Sequence, residues 1–375
     1  MRDPETTLMA EALKLGQKGD PSPNPHVGCV IADGDQLIAE GYHATAGDDH
    51  AEIAALKVAG ERARGKTLYV TLEPCNHEGR TPPCVDAILA AGIARVVVGC
   101  RDPNPRVKGG GAERLTAAGV NVKVGVLEGE AQGLIKPWSH FITQGSSYLA
   151  LKLAVSLDGR IATRSGASKW ITCPESRARV QVLRSQHDAV MVGVNTVLAD
   201  DPRLTVRDVP GRSPIRVIVD SRLRLLPTSQ VAQTAQATPT CVVTTQGSPR
   251  AAEEALAALG VRVVRVPATA EGRCDPVAVL RELASREVVS VLCEGGAELA
   301  GTLLAAGLAR ELHVFVAPVL LGPRGRPGAV DWAGPDSPAD APRIDPVHWE
   351  LCGSDAYVWG PLTFPKKQPR TNPGT

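Results

Sequence analysis

One pattern constrains the fold of this chain more than any other. It is the triplet His50-Ala51-Glu52, followed further along by Cys75 and Cys84. Histidine nitrogen and cysteine sulfur are ligands of zinc, and three protein ligands leave the fourth coordination position open for water. A site of this kind requires His50, Cys75 and Cys84 to converge although they are far apart in the sequence. The fold of this segment must therefore bring three distant chain positions to one point.

Glu52 lies two residues after His50, where a carboxylate can move a proton without ligating the metal. Catalytic zinc lowers the pKa of its water from about 15.7 to about 7, which corresponds to roughly 12 kcal/mol. A His-x-Glu triplet followed by Pro-Cys and a second Cys is the signature of the zinc nucleobase deaminases. Two alternatives stay open: inert core cysteines, and a structural zinc site with His77 as its fourth ligand.

Hydrophobic periodicity predicts alternating strands and helices around these residues. The predicted elements are a helix over 5–18, a hairpin of strands over 27–31 and 37–40 with a turn at Asp33-Gly34, a helix from His50 with Asp48 or Asp49 near its cap, a strand over 67–72, a helix opened by Pro82-Pro83, a strand over 95–99, a helix over 112–118 and a strand over 120–126. This alternation predicts a three-layer α/β/α domain. His50 and Cys84 would lie in the first turns of two helices, facing the strand end that carries Cys75.

The second half of the chain predicts another α/β domain with an open sheet. A helical connector over 130–143 leads to its first strand at Tyr148, and further strands are predicted over 189–194, 215–219, 240–244, 261–266, 288–293 and 311–317. Four prolines between Gly334 and Val347 predict an irregular tail, and residues 366–375 are expected to be disordered. Since 375 residues exceed one ordinary core, we expect domains over 1–146 and 147–365.

Composition excludes several classes of function. A formal net charge of +1 and 3% aromatic residues argue against nucleic-acid binding. No apolar run approaches the roughly 20 residues that span a bilayer, and the N-terminus has no secretory apolar segment, so we expect a cytoplasmic protein without a membrane partner. Nine cysteines at irregular spacing predict reduced thiols.

The spacing between Cys75 and Cys84 is longer than the common Cys-x-x-Cys of zinc deaminases. The insert, residues 76–83, resembles that of the bifunctional deaminase–reductases of riboflavin biosynthesis. The other matching segments are Pro23-Asn24-Pro25-His26-Val27-Gly28-Cys29-Val30, Gly41-Tyr42-His43, Ala46-Gly47-Asp48-Asp49-His50-Ala51-Glu52 and Thr71-Leu72-Glu73-Pro74-Cys75. They run across the N-terminal domain, for which the resemblance implies a cytidine-deaminase-like fold.

The second half resembles the reductase domain of the same family from about Ala150 to Ala317. The matching segments are residues 152–160, 168–172, 193–207 and 293–301, and the fold they imply is similar to that of dihydrofolate reductase. In the last segment a strand ends at Cys293, and Gly295-Gly296 precede a helix whose backbone N–H groups could hold a dinucleotide's phosphates. The alternative for this segment is a plain strand–helix turn.

For the first site the resemblance implies one zinc ion and a phosphoribosylaminopyrimidine substrate that loses one exocyclic amine. Glu52 would take a proton from water, pass it to a ring nitrogen and protonate the departing ammonia. Asn24, His43, His77 and Arg80 would line the pocket, the last three at the phosphoribosyl end. Arg80 as a solvated loop residue and His43 as a strand-end cap are the alternatives.

For the second site the resemblance implies hydride transfer from NADPH to the open-chain ribose. The cofactor contacts would be Ala154, Trp170, Thr196, Asp200, Ser221, Gly296, Ala297, Glu298, Leu299, Ala300, Gly301 and Thr302. The substrate contacts would be Ser168, Arg184, Leu204, Arg207 and Glu294. Arg184 and Arg207 suit a 5′-phosphate, or either could form a surface ion pair. No residue stands out as the proton donor, for which Lys152 and Asp200 are candidates.

The leading hypothesis is a bifunctional enzyme that performs consecutive deamination and reduction, and the family implies a homo-oligomer. A second hypothesis keeps the zinc deaminase but gives it a nucleic-acid base or a free nucleobase as substrate, with a non-reductive C-terminal domain. A third is a non-catalytic, zinc-stabilised binding module. The near-neutral charge opposes nucleic acid, and Glu52 has no role in a binding module.

Overall fold

The computed structural model describes residues 3–77, 82–105, 110–322, 324 and 328–365. The chain divides into two compact units, Met1–Ser146 and Ser147–Thr375, and each is treated by itself below. Arg80 and the tail 366–375, for which the sequence made predictions, lie outside the described residues. None of the helices in the described part of the chain has the length and apolar character needed to cross a membrane.

The first unit alternates helices and strands as the hydrophobic periodicity predicts. Its elements are α1 (Pro4–Gly16), β1 (Gly28–Asp33), β2 (Gln36–Tyr42), α2 (Ala51–Ala59), a 3-10 turn (Gly60–Ala63), β3 (Thr67–Leu72), α3 (Cys84–Ala90), β4 (Arg95–Cys100), α4 (Gly111–Ala117), β5 (Asn121–Val124), α5 (Glu128–Leu134) and α6 (Lys136–Gln144). The predicted connector is thus two helices, because Pro137 lies in the first turn of a new helix. His50, and not Asp48 or Asp49, occupies the N-cap position of α2.

Five strands form the sheet of this unit, in the order β2-β1-β3-β4-β5. The β1–β2 hairpin is confirmed, with Asp33 paired to Gln36 across a two-residue loop. Strand β1 is antiparallel to both neighbours, whereas β3, β4 and β5 are parallel. The carboxyl ends of the parallel strands therefore meet at one edge, which is where β3 delivers Cys75.

Two glycines show that helices cover both faces of this sheet. A Cβ on Gly28 would lie 1.9 Å from the carbonyl oxygen of Ala12 in α1, and one on Gly41 would lie 2.3 Å from that of Ala51 in α2. Gly41 pairs with Cys29, the neighbour of Gly28. Since adjacent strand residues point to opposite faces, α1 and α2 cover opposite faces of the sheet. The predicted three layers are confirmed.

The second unit is built mainly on a parallel sheet. Its elements are β6 (Tyr148–Ser156), α7 (Pro174–Ser185), β7 (Ala189–Gly193), α8 (Val194–Asp200), β8 (Ile215–Val219), α9 (Gln230–Gln233), β9 (Thr240–Thr245), α10 (Arg250–Ala257), β10 (Arg262–Val266), α11 (Pro276–Ser285), β11 (Ser290–Cys293), α12 (Ala297–Ala305), β12 (Glu311–Ala317), a 3-10 turn (Pro338–Asp340), β13 (Arg343–Ile344), β14 (His348–Cys352) and β15 (Asp355–Thr363). Apart from the tail discussed below, the predicted strands are confirmed within one or two residues.

The strand order of the second sheet is β10-β9-β8-β7-β11-β6-β12-β15-β13, with β14 paired to β15. Strands β6 to β12 are parallel. The chain runs outward from β7 to β10 and then returns to insert β11 between β6 and β7. In open α/β sheets such a reversal leaves a crevice at the carboxyl ends of the strands, which is where ligands bind.

The prediction of an irregular tail after Gly334 is wrong. Strand β15 is antiparallel to β12 and continues the sheet, and β14 forms a hairpin with it. Tyr357, Val358 and Leu362 of β15 are buried, so apolar burial favours pairing there. The prolines that suggested irregular structure lie before β14, where they terminate pairing but do not prevent the strands that follow.

Candidate functional site

Three zinc-type ligands converge in the first unit. His50 precedes α2, Cys84 is the first residue of α3, and Cys75 follows β3. His50 Nδ1 lies 3.2 Å from Cys84 Sγ and 3.6 Å from Cys75 Sγ, and the three donor atoms all lie within 4.8 Å of one another. His77 does not belong to this group in the described part of the chain. One nitrogen and two sulfurs at this spacing fit a zinc ion with an open fourth position.

The protonation of the three ligands is coupled. The hydrogen bond from Cys84 is the main cause that lowers the pKa of the Cys75 thiol, and the same contact raises the pKa of Cys84. The hydrogen bond with Cys75 also raises the pKa of His50. The backbone N–H of Cys84 donates to Cys75 Sγ over 3.3 Å. The site therefore favours negative charge on the Cys75 sulfur, the form that binds metal, while the Cys84 thiol keeps its proton and donates it to that sulfur.

Glu52 lies in the first turn of α2 with 4% of its surface exposed. Burial is the main cause that raises its pKa, and the nearby Cys75 thiolate raises it further. A carboxyl group whose pKa is shifted toward neutrality can both accept and return a proton at physiological pH. Its position beside the ligand cluster is the one that a proton carrier needs.

Asn24 and His43 form one hydrogen-bonded unit beside this cluster. His43 is 3% exposed, and its Nδ1 lies 3.0 Å from the carbonyl oxygen of Asp49. Because a carbonyl only accepts, Nδ1 carries the proton, so Nε2 accepts from the Asn24 amide nitrogen at 2.9 Å. Burial lowers the pKa of His43, which agrees with a neutral ring. His77 is exposed in a bend after Cys75, and Arg80 lies outside the described residues.

A second site, a cavity of about 1490 Å³, lies in the second unit at the carboxyl ends of β6, β7, β8 and β11. Most of the predicted reductase residues line it: Ala154, Ser168, Trp170, Arg184, Thr196, Asp200, Leu204, Arg207, Ser221, Glu294, Gly296, Ala297, Glu298, Leu299 and Thr302. Ala300 and Gly301 are buried on the inner side of α12 instead. The cavity can hold a dinucleotide together with a small substrate.

Arg184 and Glu294 form a buried ion pair in this cavity. Arg184 Nε lies 2.6 Å from Glu294 Oε1, and Arg184 Nη2 lies 3.0 Å from Oε2. Nη1 of Arg184 donates to the Thr205 carbonyl, so the guanidinium is largely committed within the protein. Desolvation raises the pKa of Glu294, but the charge of Arg184 and its hydrogen bonds outweigh it, and the net shift is downward. The sequence suggested either a phosphate ligand or a surface ion pair for Arg184. The structure shows an ion pair, and this pair is buried.

Other predicted residues line the same cavity. Burial lowers the pKa of Lys152, which faces the charges of Glu294 and Arg184. The Ser168 hydroxyl lies 3.3 Å from Asp200 Oδ1. Trp170 is 70% exposed, and the guanidinium carbon of Arg177 lies 4.6 Å from the centre of its ring.

Sequence reasoning missed five arginines that also line the cavity, Arg177, Arg203, Arg222, Arg224 and Arg273. The last three belong to the segments between β8 and α9 and between β10 and α11. No short motif marks them. Their one signal is position, since they follow predicted strands at the edge where a parallel sheet binds ligands.

Comparison with known proteins decides the family. Residues 147–358 match the RibD C-terminal domain, and residues 2–100 match the cytidine and deoxycytidylate deaminase zinc-binding region. The riboflavin biosynthesis protein RibD of Escherichia coli (strain K12) is 45% identical over 90% of this chain and 93% of that protein. The chain belongs to the RibD family. The RibD of Aquifex aeolicus (strain VF5) is 44% identical over 86% of this chain and 89% of that protein.

Solved RibD structures agree with this assignment. Acinetobacter baumannii RibD, form 1, has a TM-score of 0.85 at 38% identity and covers 96% of this chain and 99% of that one. A Thermotoga maritima protein described as a diaminohydroxyphosphoribosylaminopyrimidine deaminase and 5-amino-6-(5-phosphoribosylamino)uracil reductase has a TM-score of 0.82 at 35% identity, with the same coverage. The predicted fold class is confirmed: a cytidine-deaminase-like domain and a RibD reductase domain.

Membership of the RibD family also confirms the predicted class of function. The chain is a bifunctional enzyme of riboflavin biosynthesis, with a zinc-type deaminase domain and a reductase domain. Neither a nucleic-acid base deaminase with a non-reductive second domain nor a non-catalytic binding module is favoured. The individual site residues, the bound zinc and NADPH stay predictions.

Proposed function

We propose that residues 1–146 hydrolyse one exocyclic amine of 2,5-diamino-6-(5-phosphoribosylamino)pyrimidin-4(3H)-one, and that residues 147–365 then reduce the ribose of the product with NADPH. The observation that supports the deamination is the convergence of His50, Cys75 and Cys84 beside the buried Glu52. The description of the Thermotoga maritima relative supports the same pair of reactions.

The donor set supports zinc in the first site. His50 Nδ1 faces both sulfurs, so Nδ1, Cys75 Sγ and Cys84 Sγ would be the ligand atoms of one zinc ion per chain. Zinc would supply the Lewis acidity that makes water a nucleophile near neutral pH. The protein holds the three donors on the ends of two helices and one strand, where a packed core restrains them.

Glu52 transfers the protons in the proposed deamination. It accepts one proton from water and gives it to a ring nitrogen, then accepts the second and gives it to the amine, which leaves as ammonia. The water oxygen remains on the ring carbon as the carbonyl of the uracil product. His43 Nε2 accepts from the Asn24 amide nitrogen and so directs the Asn24 side-chain oxygen, which could accept a hydrogen bond from the substrate.

The cavity in the second unit supports the proposed reduction. Gly296 is the N-cap of α12, and the nearest atom to a Cβ built on it, outside its own neighbours, is Thr196 Oγ1 at 3.7 Å. A pyrophosphate can therefore approach the first N–H groups of the helix. NADPH would supply the hydride for the ribose carbon. Arg207, exposed at the cavity, is the better candidate for the substrate phosphate, because Arg184 is committed to Glu294.

Glu52→Gln tests the assignment directly. Glutamine keeps the shape of the side chain but cannot accept a proton, so ammonia release should fall by about 10²-fold or more. NADPH oxidation on the deaminated intermediate should stay unchanged, since Glu52 belongs to the other unit. Ammonia and NADPH absorbance are followed separately on the full chain.

Glu61→Gln is the matched control, because Glu61 is an exposed glutamate of the same unit and its loss should change neither reaction. If Glu52→Gln still released ammonia at the wild-type rate, the proton role would be wrong. If it lost both reactions, the proposal of two independent sites would be wrong.

A further inference from the structure

One end of the cavity in the second unit is rich in arginine. Arg222, Arg224 and Arg273 line it, and all three are exposed. They come from two segments that follow β8 and β10 at the carboxyl edge of the sheet. The proposed deamination and reduction use none of these side chains.

Hydrogen bonds tie these two segments to each other and to α12. The backbone N–H of Cys274 donates to Ser221 Oγ over 2.9 Å. Arg224 Nη2 donates to Asn195 Oδ1 over 2.7 Å, and Asn195 Nδ2 lies 3.5 Å from Glu298 Oε2. Glu298, in the first turn of α12, also forms an ion pair with Arg273. Arg224 and Arg273 are thus parts of one connected polar surface, and Arg222 lies on the same loop as Arg224.

A buried carboxylate fixes the loop that carries two of them. Asp220, directly after β8, is fully buried, and its Oδ2 accepts the backbone N–H of Leu225 over 2.7 Å. Its own backbone N–H donates to the Val243 carbonyl of β9. The segment between Asp220 and Leu225 is therefore closed into a turn, and Arg222 and Arg224 project from a braced loop rather than from a free one.

The position of this arginine surface follows from the strand order. Arg184, Glu294 and Lys152 lie at the β6–β11 side of the cavity, whereas β8 and β10 lie beyond β7 on the other side. The N-terminus of α12, which follows β11, lies between these two sides of the cavity. Suppose that the pyrophosphate of a dinucleotide lies at this helix N-terminus and its nicotinamide lies beside Arg184, Glu294 and Lys152. The adenosine would then extend over β8.

We infer that Arg222, Arg224 and Arg273 bind the phosphate on the 2′-oxygen of the adenosine ribose and so select NADPH over NADH. The inference rests on the proposed placement of NADPH in this cavity. A phosphate monoester is close to a dianion at neutral pH, and guanidinium forks match its oxygens. Glu298 offsets one of the three positive charges, and the remaining two equal the charge of the phosphate.

Equilibrium binding to the full-length protein tests this without catalysis. The probes are NADPH against NADH and 2′,5′-ADP against 5′-AMP, two pairs that differ by the 2′-phosphate alone. Binding is followed by nicotinamide fluorescence and by calorimetry. The variants are Arg222→Gln and Arg273→Gln, and the matched control is Arg262→Gln, an exposed arginine at the amino end of β10 and therefore at the opposite edge of the sheet.

The wild-type protein should bind NADPH and 2′,5′-ADP at least about tenfold more tightly than their partners, the factor that one charge-assisted hydrogen bond supplies. Each arginine variant should weaken both phosphorylated probes by about that factor and leave NADH and 5′-AMP unchanged. The control variant should behave as wild type.

Equal affinity of the wild type for NADPH and NADH, or equal losses for both in the variants, overturns the inference and leaves the proposed reduction standing. Selective binding of 2′,5′-ADP that needs Arg222, in a protein that never oxidises NADPH with the deaminated intermediate, contradicts the proposed function alone. If neither dinucleotide nor 2′,5′-ADP binds, both are wrong.

Discussion

The buried pair between Arg184 and Glu294 gives the sharpest test of the energetics of the reductase site. Their side chains are 10% and 8% exposed, and two hydrogen bonds join them. Replacing Arg184 by Met keeps much of the side-chain volume but leaves the Glu294 carboxylate buried without its cation. The penalty then comes from desolvation rather than from lost packing.

Removing one partner of a buried ion pair costs about 3–5 kcal/mol. Both residues line a cavity that water can enter, so we expect Arg184→Met to destabilise the second unit by about 3 kcal/mol at pH 7. Glu294→Gln should cost a similar amount. The double variant should cost about 3–4 kcal/mol rather than about 6, because it removes the unpaired partner charge that each single variant leaves behind.

The pair also predicts how the stability of the second unit changes with pH. The charge and hydrogen bonds of Arg184 bring the pKa of Glu294 below its ordinary value despite burial. The stabilisation is therefore complete above the unfolded pKa, about 4.3 for Glu, and is lost as the pH falls through the lower folded pKa. The difference between wild type and Arg184→Met should shrink in acid.

Urea unfolding followed by tryptophan fluorescence measures these differences. Four of the five tryptophans, Trp170, Trp332, Trp349 and Trp359, lie in the second unit. Arg179→Met is the matched control on the same helix, because Arg179 forms an exposed pair with Glu350 that should contribute at most about 1 kcal/mol. Additive single costs in the double variant, or an Arg184→Met cost no larger than the control, would refute the reasoning.

Two further predictions concern the metal and the packing of α12. Cys84→Ser should lose bound zinc by elemental analysis, because a hydroxyl replaces a thiolate ligand, and stoichiometric zinc in that variant would favour His77 as a ligand. Gly301→Ala should lower the free energy of unfolding by about 1–3 kcal/mol in urea, because its Cβ would lie 1.9 Å from the Asp331 carbonyl oxygen. Gly129→Ala, with open space around its Cβ, is the control and should be neutral or slightly stabilising.

The zinc cluster could be predicted from sequence because each of its members follows a local rule. Cys75 comes three residues after an apolar strand, His50 comes directly before a helix, and Cys84 is the first residue of another helix. Alternating strands and helices place strand ends and helix starts at one edge of a parallel sheet. The Gly295-Gly296 turn follows the same rule in the second unit.

The last three strands could not be predicted in this way. β15 completes the sheet because it pairs with β12, with Tyr357 opposite Phe315. Proline-rich sequence just before β14 points to irregular structure, whereas the pairing depends on a strand about forty residues earlier in the chain. Tertiary burial decided the outcome there, as it does for strands in general.

The role of Arg184 shows where residue-by-residue reasoning ends. Its sequence context, a helix followed by a strand, is compatible with a phosphate ligand or an ion pair, and the guanidinium chemistry suits both. What decides between them is Glu294, which lies 110 residues away and arrives only because β11 inserts next to β7. In this strand order β7 lies between β11, which Glu294 follows, and β8, which Arg222 and Arg224 follow. The two groups of charges therefore lie at different ends of the cavity. Strand order thus places Arg184 against a buried carboxylate and the exposed Arg222, Arg224 and Arg273 at the other end of the cavity.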